Sequence, residues 1–272
     1  IETQKLEAKL DYFYLLNDQS NINLSIGFTN VAQNYLSDFN QTLDDGTTKS
    51  FDDEQFNNNV DFSFKDLYFA LNYRIRTGIF TIDPGLTLHF YDNKNTQLGQ
   101  TFAKDISDIR PNLRVNMQFK KNENLRFTYR KNTQFTDVNN ISEGYVFNNY
   151  NSIFRGNRGL EAAIVNSYNL NYRSINQFTF TNVYSNISYS KRENSIQSRA
   201  AIDGINSVRT ADNSIFPRET YSARARLDRR FKNIKLNLSA NFRYSEFSNI
   251  INDVVNNAES FNQDYEASLE TN

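Results

Sequence analysis

The chain has 272 residues, no cysteine, one histidine and a formal net charge of −1. These values exclude a disulfide framework, a thiolate metal site and the basic excess that a nucleic-acid partner requires. Hydrophobic residues make up only 38% and mean hydropathy is −0.68, yet 23 Phe and 16 Tyr oppose disorder, so apolar groups must be concentrated on one face of ordered elements. No run of about 18 apolar residues occurs, which excludes an ordinary transmembrane helix and leaves a strand-built membrane protein open.

Residues 1–10, IETQKLEAKL, already alternate like a strand and lack the basic start and apolar centre of a signal peptide. The first predicted hairpin pairs Leu6, Ala8, Leu10, Tyr12 and Tyr14 with Ile22, Leu24, Ile26 and Phe28 across a turn at 17–20. A polar excursion follows over residues 31–58. The second hairpin begins with Val60, Phe62 and Phe64 and then shifts phase near Asp66 to Leu67, Phe69, Leu71, Tyr73 and Ile75. Such a shift predicts a β-bulge. After a turn at 76–78 the chain returns through Ile82, Pro84, Leu86, Leu88 and Phe90, and a polar loop is expected over residues 92–107.

Residues 108–130 show the alternation most clearly. Ile109, Pro111, Leu113, Val115, Met117 and Phe119 interleave with Arg110, Asn112, Arg114, Asn116 and Gln118; beyond the turn at 121–124, Leu125, Phe127 and Tyr129 interleave with Arg126, Thr128 and Arg130. A helix would scatter these apolar residues around its circumference, whereas a strand puts them on one side. An Asn-rich loop runs to about residue 160. The fourth hairpin holds Tyr168, Leu170 and Tyr172, a tight turn at 174–176, and a less regular return through Phe178, Phe180, Val183, Ile187 and Tyr189. A polar connection over 192–218 leads to the fifth, which sets Tyr221, Ala223, Ala225 and Leu227 against Ile234, Leu236, Leu238, Ala240, Phe242 and Tyr244. After a final loop, Tyr265, Ala267 and Leu269 open a sixth, so the chain reads as an excerpt of a longer protein.

Short turns near residues 18, 77, 122, 175 and 231 thus alternate with long polar excursions. This asymmetry predicts an all-β, up-and-down antiparallel transmembrane barrel, of which about eleven strands lie in residues 1–272 as part of one domain. Strands in hydrocarbon must close without edges, because unpaired backbone groups have no water to bond. Tyr12, Tyr14, Phe90, Tyr91, Phe119, Tyr129, Tyr172 and Tyr244 near strand ends are expected in interfacial aromatic girdles. The same residues would also serve cross-strand packing in a soluble sheet.

Residues 108–131 resemble a segment of Bacteroidota outer-membrane β-barrel proteins in which an I-x-P-x-L strand precedes N-x-L-R-F-x-Y-R. Here these are Ile109, Pro111 and Leu113, then Asn122, Asn124, Leu125, Arg126, Phe127, Tyr129 and Arg130. Residues 156–172 are similar to the G-N-P-x-L-x-P-E-x-S-x-x-Y-x-L-x-Y segment of the same receptors. Gly156, Asn157, Leu160, Tyr168, Leu170 and Tyr172 match, while Arg158 and Ala162 replace both prolines and Ala163 and Val165 replace the Glu and Ser. The family is that of TonB-dependent receptors, SusC-like transporters included. The resemblance implies a barrel of about 22 strands with a plug, set in the outer membrane of a Gram-negative bacterium. Implied partners are outer-membrane lipid, the periplasmic TonB motor acting through the plug, and a surface lipoprotein or other envelope proteins. Plug and signal peptide are expected outside these residues, and no cofactor is implied.

Enzymatic chemistry finds little support, since no phosphate loop or nucleophile elbow is present and nine glycines are scattered through turns. His89 alternates with apolar residues and is expected on the polar strand face. Asp44, Asp45, Asp52, Asp53 and Glu54 could hold Ca²⁺ through hard oxygen ligands, but the spacing fails that of an EF-hand and a solvated loop competes. Arg110, Arg114, Arg126 and Arg130 form one basic stripe, and Arg224, Arg226, Lys235 and Arg243 another. Both are expected inside a lumen, either meeting an acidic plug or anionic cargo or pairing with Asp and Glu of the wall. The function expected is energised uptake through a plugged barrel. Alternatives are a barrel serving as structural subunit of an export or insertion complex, and a soluble β-rich adhesin or sugar-binding domain.

Overall fold

The computed structural model describes residues 1–50 and 54–271, with Glu54 and Asn148 described through their backbone only. In chain order the strands are β1 (Glu2–Asn17), β2 (Ser20–Ser37), β3 (Asn40–Thr42), β4 (Thr48–Ser50), β5 (Asn58–Thr77), β6 (Phe80–Gln97), β7 (Gln100–Lys120) and β8 (Glu123–Gln134). A four-residue helix, α1 (Val138–Ile141), precedes β9 (Tyr145–Asn149), β10 (Ser152–Arg155), β11 (Ala163–Asn176) and β12 (Thr181–Glu193). The chain ends with β13 (Ile196–Asp203), β14 (Asn206–Asn213), β15 (Arg218–Phe231), β16 (Ile234–Ile251) and β17 (Val254–Thr271). Eleven of these form an antiparallel meander in the order β1-β2-β5-β6-β7-β8-β11-β12-β15-β16-β17. The remaining strands belong to hairpins in the connections at one end.

Register decides which side chains share a face. Leu10, Ile26, Phe69, Leu88 and Ile109 lie directly opposite one another across five strands, as do Tyr12, Leu24, Leu71, Leu86 and Pro111. No second layer covers them: Leu10 is 68% exposed and Ile109 56%. Farther along, Tyr129, Tyr168, Tyr189, Tyr221 and Tyr244 form a continuous row, with ring centroids 4.7–6.2 Å apart. The opposite face carries Asn, Arg, Ser and Thr. An uncovered apolar face backed by a polar one suits a barrel wall in lipid and is incompatible with a two-layer soluble body.

The β5 ladders run without a register shift from Asn58 to Leu71, so the bulge expected near Asp66 is absent. Val60, Phe62 and Phe64 instead sit on the same face as Asp66 and Tyr68. That end of the polar face is covered: Val60, Phe62, Val138 and Ile141 form a buried cluster with Tyr35, Phe64 and Leu160 against it. The phase shift in the sequence therefore records a change of surroundings, not an extra residue. Pro111 helps create the cover. The β7–β8 ladder stops at Asn112↔Arg130, beside Pro111, which offers no N–H; β8 stays paired with β11 as far as Gln134, and Phe135 then packs against Phe64 and Tyr91. Tyr91, expected in a girdle, is consequently buried on the polar side.

Two expected loops are strands. Residues 92–107 continue β6 and β7 up to a turn at Leu98-Gly99, and β16 and β17 continue to Asn252-Asp253; these four residues have positive φ, as tight hairpin turns demand. Polar residues on both faces of these extensions mimic a loop in sequence, although the ladder hydrogen bonds persist. The turn expected at 174–176 lies at 177–180. Asn176 Oδ1 accepts from the N–H groups of Phe178 and Thr179, so Phe178 and Phe180 occupy the turn and are exposed.

Candidate functional site

The polar face holds two arrangements. Near the middle of β5–β8, His89 Nδ1 lies 2.9 Å from Asp66 Oδ1 and its ring stacks on Tyr91 at 5.2 Å. Arg110 donates to Asp108 at 3.0 Å, approaches His89 Nε2 at 3.4 Å and stands over the Tyr91 ring. Lys131, freed by the end of the β7–β8 ladder, also donates to Asp108. Charges are balanced here and the groups are mostly covered, so the network braces the wall. Beside it, Tyr68 lies across Gly27, where any Cβ would strike its ring.

Along the next four strands the balance is lost. On the polar face of β8, β11, β12 and β15, register places Arg126, Arg173, Arg224, Arg226 and Arg230 toward the short turns and Arg130, Arg192 and Arg218 farther toward the long connections, with Asp228 as the one acid among the described residues of those strands on that face. Two rows cross this field: Arg126–Asn171–Asn186–Arg224 and Arg173–Tyr184–Arg226. A cavity of ≈470 Å³ opens between them. Asn186 donates to Asn169 and Asn171, which fixes the amides as a platform beneath the guanidinium groups.

The sequence profile of the outer membrane protein beta-barrel family matches residues 2–272. The chain belongs to this family. A search of curated proteins finds no match. Among solved structures, the chain is similar to the FrpB iron transporter from Neisseria meningitidis (F3-3 variant), with a TM-score of 0.59, 12% identity, and coverage of 90% of this chain and 36% of that one. It is also similar to the copper transporter OprC (TM-score 0.63, 10% identity, 90% and 38% covered). A third likeness is to a double mutant of the Serratia marcescens hemophore receptor HasR, solved with its hemophore HasA and heme (0.62, 12%, 90% and 42%). The chain thus spans about two fifths of the length of these structures, as a partial barrel of the Gram-negative outer membrane.

In this outer-membrane barrel protein the expected basic residues divide into two sets. Arg110 pairs with Asp108, Arg226 with Asp228 at 2.9 Å, Lys235 with Glu270 at 3.0 Å, and Arg224 bonds the Asn241 amide. Arg114, Arg126, Arg130 and Arg243 have no ion pair among the described residues. Arg114 and Arg130 line a second cavity, ≈380 Å³, together with the Arg74–Asp83 ion pair. Arg173 is not legible from the sequence as part of a stripe, because Ser174 and Ile175 after it resemble a turn; in the structure it is paired within β11 opposite Tyr184. Of the acidic loop, Asp52 and Asp53 lie outside the described residues. Asp45 is spent locally, accepting from the Thr47 N–H at 2.9 Å and its hydroxyl at 2.6 Å, which holds its carboxyl below the usual range. No group of three His, Asp or Glu placed to share a metal ion occurs among the described residues.

At the far end residues 156–162, the start of the segment that resembles the receptor motif, form part of a lid before the chain enters β11. Arg158, where the resembling motif has proline, pairs with Glu143 at 2.5 Å and reaches Gln100. Gln97 bonds both the Ile141 carbonyl and the Glu143 N–H.

Proposed function

We propose that this chain is part of the barrel of a TonB-dependent receptor whose outer connections capture a ligand and whose polar face is the inner wall of a plugged lumen. The observation that carries this reading is the two-faced eleven-strand meander, with ordered hairpins at one end and tight turns at the other, on the same fold as solved transporter and receptor barrels. The sheet is open at β1 and β17, and in hydrocarbon its edges require further strands. Further barrel strands from the same protein would satisfy that requirement, and the chain's share of about two fifths of the solved structures' length leaves room for them and for a plug.

The test uses the full-length protein. Planar-bilayer recording should show a closed barrel in buffer and a large, reversible conductance in urea as the plug loosens; formaldehyde cross-linking in cells should capture TonB and lose it on adding an uncoupler. A permanently open pore with no TonB adduct would sink the receptor reading. A second reading, a structural subunit of an envelope complex, draws on the ordering of the outer end. There the order β9-β10-β14-β13 joins hairpins from two separate connections and then β16, a rigid surface suited to a lasting contact. Stable co-purification of other envelope proteins would favour it.

A further inference from the structure

We propose that the cavity framed by Arg126, Arg173, Arg224 and Arg226 is a binding site for a small polyvalent oxyanion, a molecule carrying two or more carboxylate or phosphate groups. The proposal rests on the barrel reading above and names the substrate class for that wall. Adjacent strands lie about 4.8 Å apart and residues two apart on a strand about 7 Å. Arg173 and Arg226 therefore stand about 10 Å apart at their Cα atoms, on either side of Tyr184, while Arg126 and Arg224 flank Asn171 and Asn186 in the next row. Four planar donor forks thus surround one cavity from two rows and three strands. One phosphate or carboxylate would leave most of them unused; a molecule with several such groups could engage the opposite corners together.

Arginine in place of lysine supports this class, because the guanidinium fork binds carboxylate and phosphate oxygens in pairs. The wall does little to neutralise its own charge. Arg126 and Arg173 have no hydrogen-bond or ion-pair partner among the described residues, Arg224 has only the neutral Asn241 amide, and Arg226 alone has a carboxylate. Uncompensated like charges at this spacing repel, so the arrangement lowers the affinity of neutral cargo nowhere yet raises that of anions. At ≈470 Å³ the cavity has the size of a small-molecule site rather than of a protein interface. Of the two tyrosines that line it, Tyr184 is on the polar face, while register puts Tyr172 on the apolar face, which argues against a saccharide stacked on several rings.

The experiment uses full-length protein in detergent, with phenylglyoxal modification of individual arginines read by peptide mass spectrometry. Citrate is the probe, inorganic phosphate the monovalent-site comparison and maltotriose the neutral control. Citrate is expected to slow modification of Arg126, Arg173 and Arg224 by at least tenfold in a saturable manner, with a much weaker effect of phosphate, none of maltotriose, and no change at Arg209 on β14. The double variant R126Q/R224Q should weaken citrate binding at least tenfold in calorimetry; the wild-type footprint stands even where that variant fails to assemble. Two results overturn the proposal. One is protection of these arginines before any anion is added, which would mean that the plug itself fills the cavity and leaves no room for a small anion beside it. The other is free reactivity that citrate leaves unchanged. The conductance and TonB measurements can fail while this footprint succeeds, and the reverse, so the two readings are separable.

Discussion

At the scale of single residues, the wall is tuned by what is missing. Gly27 lacks a side chain where the Tyr68 ring crosses the polar face, and Gly85 does so where Asn72 and Asn112 meet. Gly27→Val forces the ring aside, and overpacking of this kind costs about 1–3 kcal/mol. Urea unfolding of the heat-modifiable band of the full-length protein should register the loss, and Tyr68→Ala in the same chain should relieve much of it. Arg158 is the opposite case, a residue whose presence departs from the resembling motif. Its ion pair with Glu143 is largely shielded, so Arg158→Ala strands a carboxylate and should loosen the lid by about 1–3 kcal/mol. Hydrogen exchange at Glu143 and Gly144 would show this as faster exchange, with the β11 ladder unaffected.

At the scale of elements, alternation sorts neighbours into different solvents. Leu24 lies in the apolar row, while Ser25 faces inward and donates to Asp11. Leu24→Lys should impair assembly by about 2–4 kcal/mol, as for a cation set in lipid. Ser25→Lys, one residue along, acquires a carboxylate neighbour and should be tolerated; equal damage from both would mean that the faces are misassigned. The β3–β4 hairpin offers a pH test. Asp45 holds Thr47 only as a carboxylate, and its folded pKa lies below the ordinary 3.8. The contact is therefore fully present above the unfolded value and is lost as pH falls through the lower folded one. Thr47 amide protection should persist at neutral pH and vanish in strong acid, and Asp45→Asn should weaken it throughout.

At the scale of the whole molecule, the open sheet governs behaviour. Every residue of β1 is exposed, and β17 is exposed along most of its length, leaving two rows of unpaired backbone donors and acceptors. Expressed alone, residues 1–272 should therefore aggregate or pair edge to edge and yield no heat-modifiable barrel, whereas the full-length protein should. A stable, discrete barrel from the fragment would contradict the reading of its edges. The asymmetry of the ends also belongs to this scale. Strands of up to 21 residues far exceed the roughly 9–11 that a tilted span needs, so β6, β7, β16 and β17 project beyond the bilayer.

Local chemistry made part of this legible in advance. Side chains alternate with period two wherever one face meets lipid and the other water, so residues 108–130 and 221–244 disclosed their strands, faces and turns from the sequence. The alternation carries no information once both faces meet the same solvent, which is why residues 92–107 and the final stretch between Tyr244 and Tyr265 resemble loops but are strands joined by tight turns. Nor can it tell a bulge from a change of surroundings: only the packing of α1 over Val60 and Phe62 decided that. The arginine cavity is likewise a product of register. Arg126, Arg173, Arg224 and Arg226 are scattered over a hundred residues of sequence and become neighbours only because backbone hydrogen bonds align β8, β11, β12 and β15 row by row.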